Sequence, residues 1–278
     1  MKTVSAAAIQ MNTSDRLQAN LQQADRLISQ AVDQGAALVL LPENFAFMGR
    51  TDRDKLAIME DDGTGPIQDF LAETAGRQRV WLVGGSVPLR CEDPDRVRAA
   101  CLVYGPDGKR YYRYDKIHLF DVDLPDSDES YRESATILAG REPGIVETPL
   151  GTLGIAICYD LRFPEYVRLL CDRGMEILLV PAAFTATTGA AHWEILLRAR
   201  AIENQCYVIA ANQTRHHPGD RETYGHSMIV DPWGRVLSRL PQDPGVCHAR
   251  LEPHHLLQVR TSFPVLSHRR FTDRKIRL

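Results

Sequence analysis

The feature that most constrains the fold is a short apolar run that ends at a cysteine. Residues 153–157 are apolar and partly β-branched, as expected of a buried strand. The chain turns polar after Cys158, and Pro164-Glu165 is typical of the first turn of a helix, which we expect to reach about Asp172. A cysteine between a strand and a helix lies at the carboxyl edge of a sheet, where α/β proteins place ligand sites. The stretch alone is equally typical of a structural cysteine, because free cysteine is among the most buried residue types.

Strand and helix patterns alternate along the chain, and Pro106-Asp107-Gly108-Lys109 predicts a hairpin turn between two strands. Thr13-Ser14-Asp15 offers capping side chains for the first helix, and Asp115 to Pro149 is rich in loop-forming residues without a clear period. The predicted strands are Val4–Met11, Ala37–Leu41, Val80–Val87, Ala100–Tyr104, Arg110–Tyr114, Leu153–Ile157, Glu176–Pro181, Cys206–Asn212, Gly225–Asp231, Val236–Leu240 and Val246–Leu251. The predicted helices are Leu17–Gln34, Gly65–Gln78, Pro164–Asp172, Ala191–Asn204 and Pro253–Arg260.

No repeat, low-complexity tract or linker interrupts this alternation, so residues 1–278 are predicted to form a single α/β domain. The hairpins imply mixed rather than purely parallel sheets. With this many apolar strands, we expect two sheets packed on each other and covered by helices.

Composition limits the class of partner and the compartment. A net charge of -3, with 44% hydrophobic residues, predicts a soluble protein that binds neither nucleic acid nor membranes. No apolar run approaches the length of a membrane span, and the N-terminus lacks the pattern of a signal peptide. The 6 cysteines are dispersed without a CxxC pair, which favours reduced thiols and a cytoplasmic location.

Three residues that can do chemistry directly follow predicted strands: Glu43, Lys116 and Cys158. Taken one at a time, Glu43 is typical of an exposed loop carboxylate and Lys116 of a solvated lysine. If the three converge, the carboxylate can take the thiol proton and return it to a leaving amine. The ammonium can favour the thiolate and stabilise an oxyanion. Such a set suits attack on an amide carbon through a thioester.

Three blocks of sequence then identify a family. The residues Leu41–Asn44, Tyr114–Leu119 and Gly154–Glu165 resemble the three signature blocks of the nitrilase, or carbon-nitrogen hydrolase, superfamily. The blocks occur in the family's order and at family-like separations, and the resemblance covers essentially the whole chain.

The resemblance implies a role for each matching residue. Glu43 matches the general base, Lys116 the oxyanion-stabilising lysine and Cys158 the nucleophile, while Glu133 matches a second glutamate that positions the lysine and substrate. The backbone N–H of Tyr159 would complete the oxyanion hole. The family fold is a four-layer αββα sandwich with two mixed β-sheets that commonly forms a homodimer, and the mechanism requires no metal and no cofactor.

A narrower resemblance concerns the substrate. Residues 181–194, 197–207 and 224–228 resemble the branch of amidases that act on 2-oxo dicarboxylic acid amides. This implies a small-molecule amide as substrate, with deaminated glutathione favoured and 2-oxoglutaramate as the alternative. A fork of donors suits the 2-oxo acid carboxylate, so we expect Arg162 to bind it, with Phe184 and Thr188 lining the pocket. The competing interpretation of Arg162 is an ion pair with Glu165 or another carboxylate.

The sequence leaves other functions open beside this one. An N-carbamoyl amino-acid amidohydrolase or an aliphatic amidase would use the same three catalytic residues. A catalytically silent binding or regulatory protein would be expected to lack one of the three, and none is missing. Residues 121–132 begin like a calcium loop but lack its glycine and its final glutamate, and no glycine-rich phosphate loop is present.

Overall fold

The N-terminal strand β1 (Val4–Gln10) lies between two apolar cores because its side chains alternate in direction. Val4, Ala6 and Ala8 belong to the core between two sheets, whereas Ala7 and Ile9 belong to the core beneath the first two helices. The protein is described here by a computed structural model, which defines residues 1–124 and 129–271. The alternation of β1 therefore sets a layer order of helices, sheet, sheet and helices over these residues.

The first large sheet contains, besides β1, the strands β2 (Leu38–Leu40), β3 (Trp81–Val83), β4 (Val87–Arg90), β5 (Val97–Tyr104), β6 (Arg110–Asp115) and β17 (Gly245–Leu251). Its 7 strands lie in the order β17-β1-β2-β3-β5-β4, with β6 also paired to β5. Strands β1, β2 and β3 run parallel, and β17 joins β1 antiparallel.

The second large sheet contains the strands β9 (Gly144–Thr148), β10 (Gly151–Ile155), β11 (Ile177–Ala182), β12 (Tyr207–Asn212), β15 (Met228–Val230) and β16 (Val236–Arg239). Its 6 strands lie in the order β16-β15-β12-β11-β10-β9, and β10, β11 and β12 run parallel. Two small hairpins are formed by β7 (Asp121–Asp123) with β8 (Ser130–Arg132) and by β13 (Thr214–His216) with β14 (Glu222–Tyr224). The helices are α1 (Leu17–Asp33), α2 (Pro66–Gln78), α3 (Pro164–Asp172), α4 (Ala186–Asn204) and α5 (Pro253–Ser262).

Helices α1 and α2 pack on the first sheet, and α3 and α4 pack on the second. The predicted four-layer αββα sandwich with two mixed sheets is therefore confirmed. Across the described residues, no helix has the length and apolar composition needed to cross a membrane.

Several predicted elements were wrong in their limits. Val80–Val87 is two strands, because Gly84 and Gly85 break the run, and Gly85 has φ +49° with its backbone packed against Pro42. The expected cap of α1 is absent: its N-cap is Arg16, without a side-chain cap, since Asn20 engages Ser14.

Three further differences lie in the polar parts of the chain. Asp115 to Pro149 contains the strands β7, β8 and β9, although residues 125–128 within it lie outside the described part. The hairpin of β13 and β14 was not predicted, because its strands have only three residues each and carry no apolar period. Helix α4 begins five residues earlier than predicted, at Ala186, because Thr185 caps it by accepting a hydrogen bond from the Thr188 N–H.

Candidate active site

Cys158 lies at the start of a 3-10 turn, Cys158–Arg162, that follows strand β10. Its backbone has φ +48°, a left-handed conformation that costs free energy in a residue with a side chain. The buried Asp160 carboxylate holds this turn by accepting hydrogen bonds from the Ile157 N–H at 2.8 Å and the Tyr114 hydroxyl at 2.7 Å. The same carboxylate lies 2.7 Å from Nδ1 of His118, whose role is thus structural. The turn places Cys158, a partly buried residue, at the carboxyl edge of the second sheet.

Glu43 follows strand β2 at the edge of the first sheet and is 4% exposed. Its carbonyl oxygen accepts a hydrogen bond from Nε2 of Gln213 at 3.0 Å, and the next N–H, of Asn44, donates to Oγ of Ser86 at 2.8 Å. Its carboxylate Oε2 accepts from the Ala183 N–H at 3.0 Å, at the end of β11. The Glu43 carboxylate is thereby fixed between the two sheets.

Lys116 follows strand β6 and is 1% exposed. Its Nζ donates to Oε1 of Glu43 at 2.8 Å and to Oε1 and Oε2 of Glu133 at 2.7 and 2.9 Å. Glu133 is itself held by the Phe120 N–H, which donates to Oε2 at 2.6 Å. The ammonium is therefore fixed by two carboxylates rather than solvated.

The pKa of each of the three groups is shifted by burial and by the neighbouring groups. Burial raises the pKa of the Cys158 thiol, and the Glu43 carboxylate raises it further, so the thiol is protonated at rest. Burial alone would raise the pKa of Glu43, but Lys116 and Arg221 hold it below its usual value. Burial would lower the pKa of Lys116, but Glu133 and Glu43 raise it above the ordinary value. The resting site thus contains a thiol, an ionised carboxylate and an ammonium.

One cavity brings together all eight residues predicted from the sequence. It is lined by Glu43, Lys116, Glu133, Cys158, Tyr159, Arg162, Phe184 and Thr188. Glu43 is not an exposed loop carboxylate and Lys116 is not a solvated lysine, because both side chains are buried.

Arg162 is not paired with Glu165. Its Nη1 lies 3.1 Å from Nδ1 of His192, and its guanidinium carbon lies 4.9 Å from the ring centre of Phe184 and 5.9 Å from that of Tyr159. Among the described residues, none of the ion pairs includes Arg162. The side chain therefore faces the cavity with its charge available to an anion.

The sequence reasoning missed other residues of the same cavity. Lys55, Tyr131 and Arg221 also line it: Lys55 lies in the 3-10 helix Asp52–Ile58, Tyr131 in the hairpin strand β8, and Arg221 directly before β14. These residues follow no apolar strand and form no motif with the catalytic residues, so the pattern of the sequence held no signal for them.

Comparisons with known proteins show the family. The family model described as carbon-nitrogen hydrolase matches residues 5–261. A deaminated glutathione amidase from Synechocystis sp. is 46% identical over 98% of this chain and 100% of its own length. An omega-amidase from Danio rerio is 37% identical over 95% of this chain and 94% of its own length.

A solved structure gives the same result for the fold. A Saccharomyces cerevisiae member of branch 10 of the nitrilase superfamily has a TM-score of 0.87 and 30% identity, covering 97% of both chains. With a family model matched over nearly its whole length and relatives of this similarity, the chain belongs to the carbon-nitrogen hydrolase family.

Proposed function

We propose that this chain hydrolyses the amide of deaminated glutathione, giving 2-oxoglutarate and Cys-Gly, with Cys158 as the nucleophile. The chain is an amide-acting hydrolase of the carbon-nitrogen hydrolase family. The observation that carries the proposed mechanism is the Lys116 ammonium, which is hydrogen bonded to Glu43 and Glu133 in the cavity that contains the Cys158 thiol.

The first half of the reaction forms a thioester. Glu43 takes the proton of Cys158 as the sulfur attacks the amide carbon. The oxygen of that carbon gains negative charge, which Lys116 and the Tyr159 backbone N–H stabilise. When the carbon-nitrogen bond breaks, Glu43 gives its proton to the leaving nitrogen, and the amine departs.

The second half consumes water. Glu43, ionised again, takes a proton from a water molecule that attacks the thioester carbon. The same two donors stabilise the second oxyanion, and the Cys158 sulfur leaves with the proton that Glu43 returns. Amide and water have then become a carboxylic acid and an amine, and the protein is unchanged.

Glu133 is proposed as a positioning residue for this reaction. It binds the Lys116 ammonium through both carboxylate oxygens and is fixed by the Phe120 N–H. A lysine held in this way needs no rearrangement when charge develops on the substrate oxygen.

The acyl part of the substrate is proposed to lie toward Arg162. Its guanidinium has no carboxylate partner among the described residues and lies over the Phe184 ring, so a 2-oxo acid carboxylate could take a bidentate hydrogen bond there. Thr188, on the first turn of α4, lines the same part of the cavity. We expect Arg162→Ala to weaken the use of 2-oxo acid amides more than that of simple aliphatic amides. Equal losses on both classes would contradict the assignment.

The competing function is that of an omega-amidase, which would release ammonia from 2-oxoglutaramate. The Danio rerio relative supports this alternative, and the Synechocystis relative supports the first. The test is kcat/KM for deaminated glutathione and 2-oxoglutaramate, measured side by side. Preference for the tripeptide is the expected result, and preference for 2-oxoglutaramate would replace our proposal with the alternative. A preference for a carbamoyl or an aliphatic amide in the same panel would contradict both.

We also propose that the chain acts as a homodimer. Ile202, Trp233 and Phe263 are each about half exposed, the rings of Trp233 and Phe263 lie 5.6 Å apart, and Gly234 packs on Ile202. Large apolar side chains grouped in this way are typical of a protein–protein contact.

The domain assignment and the location stay proposals as well. We propose a single hydrolase domain over residues 1–278, supported by the family match over 5–261; residues 272–278 lie outside the described part. We propose the cytoplasm because a nucleophilic Cys158 must remain reduced, and a reducing compartment keeps it so.

A further inference from the structure

Two side cavities adjoin the catalytic cavity, one at Arg162 and the other at Arg221. The first, which we name the Arg162 arm, shares Phe120, Tyr159, Arg162 and Thr188 with the catalytic cavity. The second, which we name the Arg221 arm, shares Asn44, Asp52, Lys55, Tyr131 and Arg221 with it. The Arg221 arm alone has a volume of about 280 Å³. An ammonia leaving group would need no such space.

Arg221 has no carboxylate partner among residues 1–124 and 129–271. Its Nη2 donates to the Ala183 carbonyl oxygen at 3.2 Å, and its guanidinium carbon lies 5.6 Å from the ring centre of Tyr131. Its Nε is buried and finds no hydrogen-bond partner in the described part of the chain. The other cations of the arm, Lys55 and Arg50, each lie 3.8 Å from a carboxylate, that of Asp52 and that of Asp15. The Arg221 guanidinium thus lines the cavity without an anionic partner, and a carboxylate in the arm would accept a charge-assisted hydrogen bond from it.

The position of Arg221 identifies the part of the substrate that it faces. The residue whose carbonyl it binds, Ala183, donates its own N–H to the Glu43 carboxylate, so Arg221 lies on the Glu43 side of the site. Glu43 must reach the leaving nitrogen to protonate it, and therefore the leaving group lies on that side. Arg162 lines the other arm, which has no lining residue in common with the Arg221 arm among the described residues, and the acyl part is placed there.

We infer that Arg221 binds the carboxylate of the departing amine and so selects amides whose leaving group is a short, anionic peptide. The inference rests on the proposed function, in which that amine is Cys-Gly with one terminal carboxylate. An extended dipeptide spans about 7 Å, which carries its carboxylate well beyond the scissile nitrogen and into the arm. Arg162 and Arg221 then bind the two ends of a dianionic substrate, with the amide between them at Cys158.

A different role for Arg221 makes a different prediction. Its charge contributes to the lowered pKa of Glu43, and it contacts the peptide that binds Glu43. If this were its whole role, loss of Arg221 would slow every amide substrate alike and move the acid limb of the pH profile. A leaving-group site instead affects only substrates that carry the distal carboxylate.

The test compares the wild type and Arg221→Gln on three substrates: deaminated glutathione, its C-terminal carboxamide and 2-oxoglutaramate. We expect Arg221→Gln to lower kcat/KM for deaminated glutathione at least about tenfold, mainly through KM, as for the loss of a hydrogen bond to a charged group. For 2-oxoglutaramate, assayed well above the pKa of Glu43, we expect a clearly smaller loss than for deaminated glutathione, since its leaving group has no carboxylate and only the effect of Arg221 on Glu43 remains. The carboxamide should be a poor substrate of the wild type and lose no more in the variant than 2-oxoglutaramate does.

Two variants control the comparison. Arg215→Gln removes an exposed arginine of the adjacent strand β13, which pairs with Asp243, and should leave all three substrates unaffected. Arg221→Lys keeps the positive charge and should restore part of the activity on deaminated glutathione. This variant also keeps the inference testable if Arg221→Gln folds poorly. Equal losses on deaminated glutathione and 2-oxoglutaramate would overturn the inference and leave the proposed function standing. A wild type that does not hydrolyse deaminated glutathione at all would overturn both.

Discussion

The buried carboxylate of Asp160 provides the most quantitative test of how the nucleophile is held. It is 0% exposed and accepts hydrogen bonds from the Ile157 N–H, the Tyr114 hydroxyl and the His118 N–H at 2.8, 2.7 and 3.0 Å. Burial and the Asp160 charge raise the pKa of Tyr114, so its hydroxyl keeps its proton and remains a donor. Asp160→Ala leaves these donors without an acceptor.

The expected magnitude follows from which donors can find water. His118 is partly exposed and can be hydrated, whereas Ile157 and Tyr114 are buried, at 0% and 1% exposure. An unsatisfied buried donor costs about 1–3 kcal/mol, so the two together predict a loss of about 2–6 kcal/mol in the free energy of unfolding. Because Cys158 stands at φ +48° in this turn, kcat should fall as well.

The assay is urea unfolding followed by tryptophan fluorescence, with amide hydrolysis measured on the same samples. Asp123→Ala is the matched control, since its exposed carboxylate pairs with Arg132 and such surface pairs contribute at most about 1 kcal/mol. Asp160→Asn keeps the volume and one acceptor oxygen, and should be intermediate in stability. A loss for Asp160→Ala no larger than that of the Asp123→Ala control would refute the reasoning.

Three further predictions concern charge and assembly. Glu133→Gln should lower kcat at least about tenfold with little change in KM, because the Lys116 ammonium loses a charged partner; an unchanged kcat would contradict its positioning role. The pKa of Glu43 lies below its ordinary 4.5, so kcat/KM should be retained above that pH and lost as the pH falls through the lowered value; an acid limb near neutrality would contradict this. Ile202→Glu should convert a dimer to a monomer in sedimentation experiments, and an unchanged sedimentation coefficient would exclude that surface.

Much of the fold follows from the sequence because its core strands are apolar runs with clear ends. Helix α3 was predicted with its observed limits, since Pro164 begins it and polar residues follow Asp172. Val80–Val87 was predicted as one strand because apolar residues stand on both sides of Gly84-Gly85, although a Gly-Gly pair is itself typical of a turn. Only the approach of the Gly85 backbone to Pro42 shows why the strand must end there, beside Glu43.

The sequence was enough to predict the three candidate catalytic residues, but not their protonation states or the whole lining of the cavity. Glu43, Lys116 and Cys158 each follow a strand and match a family block, which is local information. The state of their protons depends on burial and on Glu133, which act across the fold. Arg221 reaches the cavity from a hairpin without an apolar period, and its contact with Ala183 joins residues far apart in the chain.

The central claim is that amide hydrolysis proceeds through the Cys158 sulfur. The direct measurement is the rate of deaminated glutathione hydrolysis by Cys158→Ala, with Cys171→Ala as control, since Cys171 is also a free, half-buried cysteine. Removing a catalytic nucleophile costs factors of about 10⁴ or more in rate, so Cys158→Ala should be essentially inactive and Cys171→Ala close to the wild type. A folded Cys158→Ala variant that hydrolyses deaminated glutathione at the wild-type rate would contradict the account.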